Sequence, residues 1–375
     1  MKKMQSKIIG TLSLNINTPD FNYGAILHSW AFQQYLKKEK LCKYTEIIDY
    51  VTPKLEKFNY TNPIKNGIKS KKIKSIIKSM LIYPIYKSKY KKIHNFINKE
   101  MNISQKKFTQ KMLNDEKLVY DTIICESDVI WSPGFFGGKF DKSFFMNLDS
   151  MKNMKKIAYS PSMANTTLTS NQKKELAEYL KSIDYISSRE TYNKDMIQKY
   201  TEKKVEHVLD PVLLLDEQHY SKITGKKLID EEYLLLYLPV DNNKKLRENA
   251  KEYAKLHNLK IIEITTTCLP TLRKNTLNKA GVEDFLSAIK YANTIFTNSF
   301  HAICFSIIFN KNFYVFSRKN SGKIKDICDV MNIPERYFTD DNFVELKQLD
   351  YKKINNTWKR LKNKSENWLK DALEK

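Results

Sequence analysis

Short apolar runs and longer mixed stretches follow one another along the chain, and the two kinds of block differ in period. Near the N-terminus KIIGTLSLN has the length of a strand, and the polar TPDFNYG after it reads as a turn. From about Ala25 to Lys38, Ile26, Leu27, Trp30, Ala31 and Tyr35 fall near helical spacing, which predicts a helix. YTEIIDYV and VYDTIICES predict a second and a third strand, and KKIAYSPS, YISSRE and EHVLDPVLLL further buried ones. Among them SNQKKELAEYLKS predicts a helix capped at Ser170. At about residue 232 the pattern restarts with the strand YLLLYLPV, a helix in NKKLRENAKEYAKLHN, the strand KIIEITTT and a helix in GVEDFLSAIKYA. The strand TIFT, an apolar helix in HAICFSIIFN and the strand FYVFS complete it.

Strands alternating with helices at this spacing imply βαβ units and mostly parallel sheets, an α/β fold. With 375 residues the chain exceeds one ordinary core, so two domains are expected, 1–225 and 226–345, joined around DEQHYSKITGKKLIDEE. A charged helical segment, 346–375, follows, with Trp358 and Trp368 as its docking points. Two such sheets in tandem place a ligand cleft between them, at the C-terminal ends of strands.

Composition narrows the class. Hydrophobic residues make up 41% of the chain, enough for two cores and too much for disorder. No apolar run approaches the roughly 18 residues of a membrane span. The N-terminus has a basic start but a broken apolar stretch, and reads as a first strand rather than a signal peptide. Five cysteines at no regular spacing make neither a disulfide framework nor a metal knuckle, so a cytoplasmic protein is expected. The net charge is +23, and Lys54 to Lys111 alone holds sixteen lysines against Glu56 and Glu100. This basic segment is expected as an insertion in the first domain, between its second and third strands.

Candidate chemistry gathers at strand-to-helix junctions. His301 follows TIFT and opens the next helix, Arg189 follows YISS, and Lys323 follows FYVF. Helix N-termini attract anions, Arg adds a planar fork and Lys a point charge, so an anionic ligand would satisfy all three. The plainer alternatives are a hydrogen-bonded histidine at a strand end, a salt bridge from Arg189 to Glu190, and a solvated Lys323. Asp20 or Asn22 could cap the first helix, Gly24 would let backbone approach a ligand, and Asn22 and Tyr23 could line the cleft. Asp128 and Trp131 read either as a carboxylate beside a sugar-stacking ring or as core. His28, His94, His207, His219 and His257 show no ligand spacing and receive no role.

NYGAILHSWAFQQYL, ESDVIWSP, KIAYSPS, YISSRE, VEHVLDPVLLL and TNSFHAICFSIIFNKNF, in this order, resemble the polysaccharide pyruvyl transferase family. The resemblance runs from about residue 8 to about residue 337. It implies two Rossmann-like domains in a GT-B-like arrangement. It also implies transfer of pyruvate from phosphoenolpyruvate to a sugar as a ketal, with phosphoenolpyruvate as co-substrate and no cofactor or metal. Arg189 matches the arginine of the family's RE or RD motif, a donor-binding group. His301 matches its catalytic histidine, and Lys323 a basic position beyond it. Ser299 stands where many members have a donor-binding arginine, Ala302 where glycine is frequent, and Glu126-Ser127-Asp128 where GSD is frequent.

Two other classes remain open at this stage. The same architecture serves glycosyltransferases with nucleotide-sugar donors. The lysine-rich segment, with Ile73, Ile76, Ile77 and Leu81 interleaved, also suits a basic nucleic-acid- or membrane-binding protein. No nucleic-acid motif accompanies it, so no nucleic-acid partner is expected. Lys69, Lys71, Lys72, Lys74 and Lys78 suit either an amphipathic helix on an anionic membrane face, ended by Pro84, near a lipid-linked sugar acceptor, or a solvated lysine-rich helix whose apolar side packs on its own domain.

Overall fold

The computed structural model describes residues 6–14, 17, 21–164, 167–240, 244–271, 273–316, 322–338 and 343–375. Seven strands form a first, all-parallel sheet: β1 (Ile8–Leu12), β2 (Tyr44–Tyr50), β3 (Ile103–Phe108), β4 (Thr122–Glu126), β5 (Lys155–Tyr159), β6 (Tyr185–Ser188) and β7 (Val205–His207). Six more form a second: β8 (Tyr233–Tyr237), β9 (Lys260–Ile264), β10 (Thr276–Leu277), β11 (Thr294–Thr297), β12 (Asn312–Phe316) and β13 (Tyr337–Phe338). The first sheet carries helices α1 (Tyr23–Lys38), α2 (Pro63–Lys69), α3 (Ile73–Glu100), α4 (Gln110–Asp115), α5 (Ser170–Lys181) and α6 (Thr191–Ile197). After α7 (Glu217–Ser221) come α8 (Lys244–Leu256), α9 (Val282–Lys290), α10 (Phe300–Ile308), α11 (Gly322–Val330) and the closing α12 (Tyr351–Glu374).

The strand orders are β3-β2-β1-β4-β5-β6-β7 and β10-β9-β8-β11-β12-β13. Each sheet grows one way from its first strand and then reverses, the doubly wound order of a Rossmann-like fold. The molecule is therefore α/β, with two Rossmann-like halves in a GT-B-like arrangement. Central strands such as β4 and β8 are buried at every position, as expected where helices cover both faces of a parallel sheet. The reversals fall between β1 and β4 and between β8 and β11, and the loops leaving these four strands face a common cleft.

One apolar core runs through both halves. Leu27 and Tyr35 of α1 and Tyr159 of β5 belong to the same cluster as Leu235, Ile295, Phe285 and Phe305. The C-terminal helix crosses back to close it. In α12, Leu369 and Leu373 are fully buried, Trp358 Nε1 donates to Leu213 O at 2.8 Å, and Trp368 lies 6.1 Å from the Tyr159 ring.

The structure corrects the sequence reading in four places. A strand, β3, lies inside the basic segment, at the sheet edge, where three of its six residues are exposed and its lysines stay in solvent. Pro84 does not end a helix, because α3 continues through it to Glu100, its second half anchored by Ile85, Tyr86, Ile93, Phe96 and Ile97. VEHVLDPVLLL is a strand only to His207. Asp210 then caps Val212 N and starts a 3₁₀ turn, Pro211–Leu214. The α5 cap is Thr169, in a reciprocal capping box with Gln172, so Ser170 is already helical. Of the two candidate caps of α1, Asn22 does the work, accepting from Ala25 N at 3.2 Å, and Asp20 lies outside the described residues.

Candidate active site

A cavity of about 200 Å³ opens where the two switch points meet. Asn22, after β1, and Asp128, after β4, come from the first sheet. Tyr237, Pro239 and Val240 at β8, with Ser299, Phe300 and His301 after β11, come from the second. Arg189, after β6, and Lys323, in the first turn of α11, complete the charged lining. The cavity thus brings together His301, Arg189, Lys323, Ser299, Asn22 and Asp128.

His301 is set by its local sequence. Thr297 Oγ1 donates to Tyr237 O at 2.7 Å and accepts from Ser299 N at 3.1 Å, fixing the end of β11. Ser299 then caps α10, its Oγ accepting from Ala302 N. The nine residues of α10 are all buried, so the helix has one orientation. His301 Nε2 is buried 3.7 Å from Asp210 Oδ2, with no hydrogen-bond partner among the described residues. Gly24 of α1 lies against that ring. A Cβ at Gly24 would fall 2.0 Å from His301 Nδ1, so the close approach glycine permits here is to a side chain.

Arg189 is buried under Phe300, its guanidinium carbon 4.4 Å from the ring centre. Nε donates to Glu190 Oε1 at 3.0 Å and NH1 to Asp210 Oδ2 at 3.1 Å. The remaining NH2 is buried with no hydrogen-bond partner among the described residues. The salt bridge to Glu190 and a place in the cavity therefore coexist. Glu190 is held in turn by Ser162 Oγ and Asn193 Nδ2, at 2.8 and 2.7 Å. Lys323 is half-buried and lies on the cavity wall, not free in solvent.

Behind this wall stands a group with no assignment from the sequence. His28 Nδ1 meets Glu126 Oε2 at 2.7 Å, and Ser29 Oγ donates to Glu126 Oε1 at 2.5 Å. The His28 ring lies 6.0 Å from that of His301, nearly parallel, and its Nε2 is 4.0 Å from Asp128 Oδ2. Asp210 also accepts from Ser127 Oγ at 2.6 Å. Ser127 and Asp128 both hold left-handed backbone, φ 49° and 54°, which turns the loop after β4 sharply toward the cavity. These residues sit inside quoted motifs. The available signal was a run of polar side chains, His28-Ser29 and Glu126-Ser127-Asp128, within segments that otherwise want burial.

The charges settle each other. Burial would lower His28, but Glu126, followed by Asp210 and Asp128, raises it to about 9, which favours the protonated ring. Burial lowers His301 too. There Asp210 pulls back upward, but His28 and Arg189 add to the lowering, so the neutral ring is favoured. Burial would raise Asp128, yet His28, Arg189, Lys323 and His301 outweigh it and hold its carboxyl below the ordinary range. Asp210 is held well below that range, burial being overcome by His301, Arg189 and His28. Burial, and then Arg189, lower Lys323.

Two expected cleft residues lie elsewhere. Tyr23 is fully buried, its hydroxyl donating to Ala280 O at 2.9 Å and its ring stacked 4.8 Å from Phe285. It belongs to the core joining the halves. Trp131 is fully buried as well, with Nε1 donating to Phe144 O at 3.0 Å and the indole stacked 4.8 Å from Phe145. A ring with both faces covered cannot stack on a sugar. Among the described residues no three His, Cys, Asp or Glu side chains are placed to hold a metal ion.

The family model described as polysaccharide pyruvyl transferase matches residues 22–320, which begin at the α1 cap and include His301. Among curated proteins no sequence matches the chain. Solved structures similar to it include the UDP-GlcNAc 2-epimerase of Methanocaldococcus jannaschii, at 14% identity and TM-score 0.46, covering 95% of this chain and 92% of that one. The UDP-GlcNAc 2-epimerase of Neisseria meningitidis bound to UDP-GlcNAc gives 10% and 0.46, covering 98% and 94%. The E. coli heptosyltransferase WaaC with ADP gives 9% and 0.38, covering 94% and 99%. At such identities the likeness says nothing about substrate.

Proposed function

The chain belongs to the polysaccharide pyruvyl transferase family, and from that premise we propose that its cleft transfers pyruvate from phosphoenolpyruvate to a sugar of a cell-surface polysaccharide or its precursor, forming a ketal. The observation that carries this reading is the convergence of Arg189, Lys323 and His301, from both halves of the molecule, on one small cavity.

Phosphoenolpyruvate brings a carboxylate and a phosphate, and needs fixed cations where water is scarce. Arg189, pinned by Glu190 and Asp210, is a fixed cation on the cavity wall for one anionic group. Lys323 serves the other, and Ser299 leaves the N-terminus of α10 beside them. The reaction adds a proton to the methylene carbon and a sugar hydroxyl to the central carbon. A second hydroxyl on the same sugar displaces phosphate and closes the ring, so two C–O bonds form as the C–O bond to phosphate breaks. Each hydroxyl gives up a proton, one offsetting the proton gained by the methylene carbon and the other leaving on the phosphate. Neutral His301, with Asp210 behind Nε2, suits acceptance of one of them. The ionised Asp128 faces the same cavity and suits orientation of the acceptor hydroxyls.

The test is release of inorganic phosphate from phosphoenolpyruvate on incubation with candidate glycans, with the product examined for a pyruvate ketal by mass. Glycan-dependent phosphate release supports the reading. Release of nucleoside diphosphate from a nucleotide sugar, with phosphoenolpyruvate untouched, overturns it in favour of a glycosyltransferase.

A further inference from the structure

We propose that the α2–α3 hairpin is a docking surface for an anionic lipid bilayer. Five large apolar side chains stand open at its tip: Ile68 is 56% exposed, Ile73 76%, Ile77 53%, Met80 55% and Leu81 60%. Positions 73, 77, 80 and 81 recur at helical spacing and make one stripe along the outer half of α3. The hairpin does not turn this stripe inward. Its two helices meet instead through Gly67 and Ser79, so tightly that a Cβ on Gly67 would come within 2.3 Å of Ser79 Oγ.

The surroundings of the stripe identify its occupant. Lys69, Lys71, Lys72, Lys74 and Lys78 are all exposed around it, and Lys87 and Lys91 continue along the exposed side of α3. No acidic residue occurs from residue 57 to residue 99. A helix solvated on all sides would carry polar residues where Ile73, Ile77 and Leu81 stand. A second copy of this chain would bring a second lysine cluster against the first. Apolar residues flanked by cations match a surface that is oily within and anionic at its face, where each nearby lysine contributes about 1 kcal/mol.

The same helix runs beside the cavity wall. Past Pro84, α3 packs Ile85 and Tyr86 against Phe21 and Cys268, Lys89 Nζ donates to Thr265 O at 2.6 Å, and Lys92 pairs with Asp284 at 2.7 Å. Phe21 precedes Asn22 of the cavity wall, and Thr265 precedes Thr266. A bilayer on the outer half would therefore lie along a helix whose middle packs beside the segments that carry Asn22 and Thr266 into the cavity wall, the approach a lipid-linked sugar would use.

Co-sedimentation of the full chain with vesicles tests this without any turnover, so its outcome is separate from that of the pyruvyl reading. Binding is expected to phosphatidylcholine vesicles doped with phosphatidylglycerol, to fade as salt rises, and to be negligible with phosphatidylcholine alone. Changing the five lysines to glutamine, or I73S, I77S and L81S together, should each weaken binding at least tenfold. Circular dichroism spectra and melting unchanged from the parent confirm that the variants fold. Equal binding to both vesicle types, no binding to either, or full binding by the folded serine variant would overturn the proposal. So would loss of an existing dimer in that variant, or displacement of the protein from anionic vesicles by RNA at equal charge.

Discussion

Gly24 and His301 come from opposite halves of the molecule and share a contact that leaves no room for a methyl group. If His301 moves a proton, His301→Ala should lower turnover by roughly a hundredfold or more. Gly24→Ala should reproduce much of that loss while retaining His301, because the added Cβ displaces the ring. Phosphate release by both variants, with melting curves to confirm folding, checks this. Near-normal turnover in folded Gly24→Ala would mean that the ring position does not matter. Lys323 offers the cleaner test of donor binding, since Arg189 also neutralises buried Glu190 and Asp210 and its loss would unbalance them. Lys323→Met should raise the KM for phosphoenolpyruvate tenfold to a hundredfold, the weight of one charge-assisted contact of about 1.5–3 kcal/mol. His28 adds a pH dependence. Its imidazolium is favoured by the fold, with a pKa raised to about 9 from 6.5, so its contribution to stability is complete below about pH 6.5 and is lost as pH rises through 9. The melting temperature should fall across that window, and His28→Gln should flatten the fall. An equally steep fall in the variant would place its cause elsewhere.

At the scale of elements, the sequence was most legible where burial is strongest. β8, β11 and the all-buried α10 appear as continuous apolar runs because parallel strands and the helices over them exclude water on every side. Edges and ends were less legible. β3 alternates poorly because it lies at the sheet edge, and Thr169 and Ser170 are equally good caps on paper. The capping box decides between them, so Thr169→Ala should cost about 1 kcal/mol and Ser170→Ala much less, measured by denaturant unfolding. The site divides in the same way. Charged residues at strand ends stood out, whereas His28 lies within a helix and Glu126 within a strand, where spacing reports only burial. Whether a buried polar residue is paired, and with what, depends on a partner about 98 positions away, as Glu126 is from His28. Trp131 shows the reverse case, an aromatic beside a carboxylate whose faces are covered by residues far enough along the chain to leave no pattern.

For the whole molecule, the shared core matters more than the division into two sheets. Leu27, Tyr159, Leu235 and Phe305 belong to one apolar cluster, and α12 is pinned to the first half while following the second. Neither half can lose its structure without exposing the other's apolar surface. Calorimetry should therefore give a single endotherm, and two separated transitions would show that the halves are energetically independent.

The pairing of Asp210 with His301 has a consequence for timing. The carboxylate belongs to the first half and the imidazole to the second, and the stacking of Phe300 on Arg189 crosses the same divide. Any hinge motion that widened the cleft would separate the ring from its carboxylate and uncover the guanidinium in one movement. In that movement the imidazole would lose its carboxylate, while Arg189 would stay pinned by Glu190 and Asp210 and lose only its aromatic cover. On the proposed reading, a donor entering a widened cleft would still find the pinned Arg189 but a His301 without its carboxylate, so capture would come before chemistry and chemistry would wait for the halves to meet.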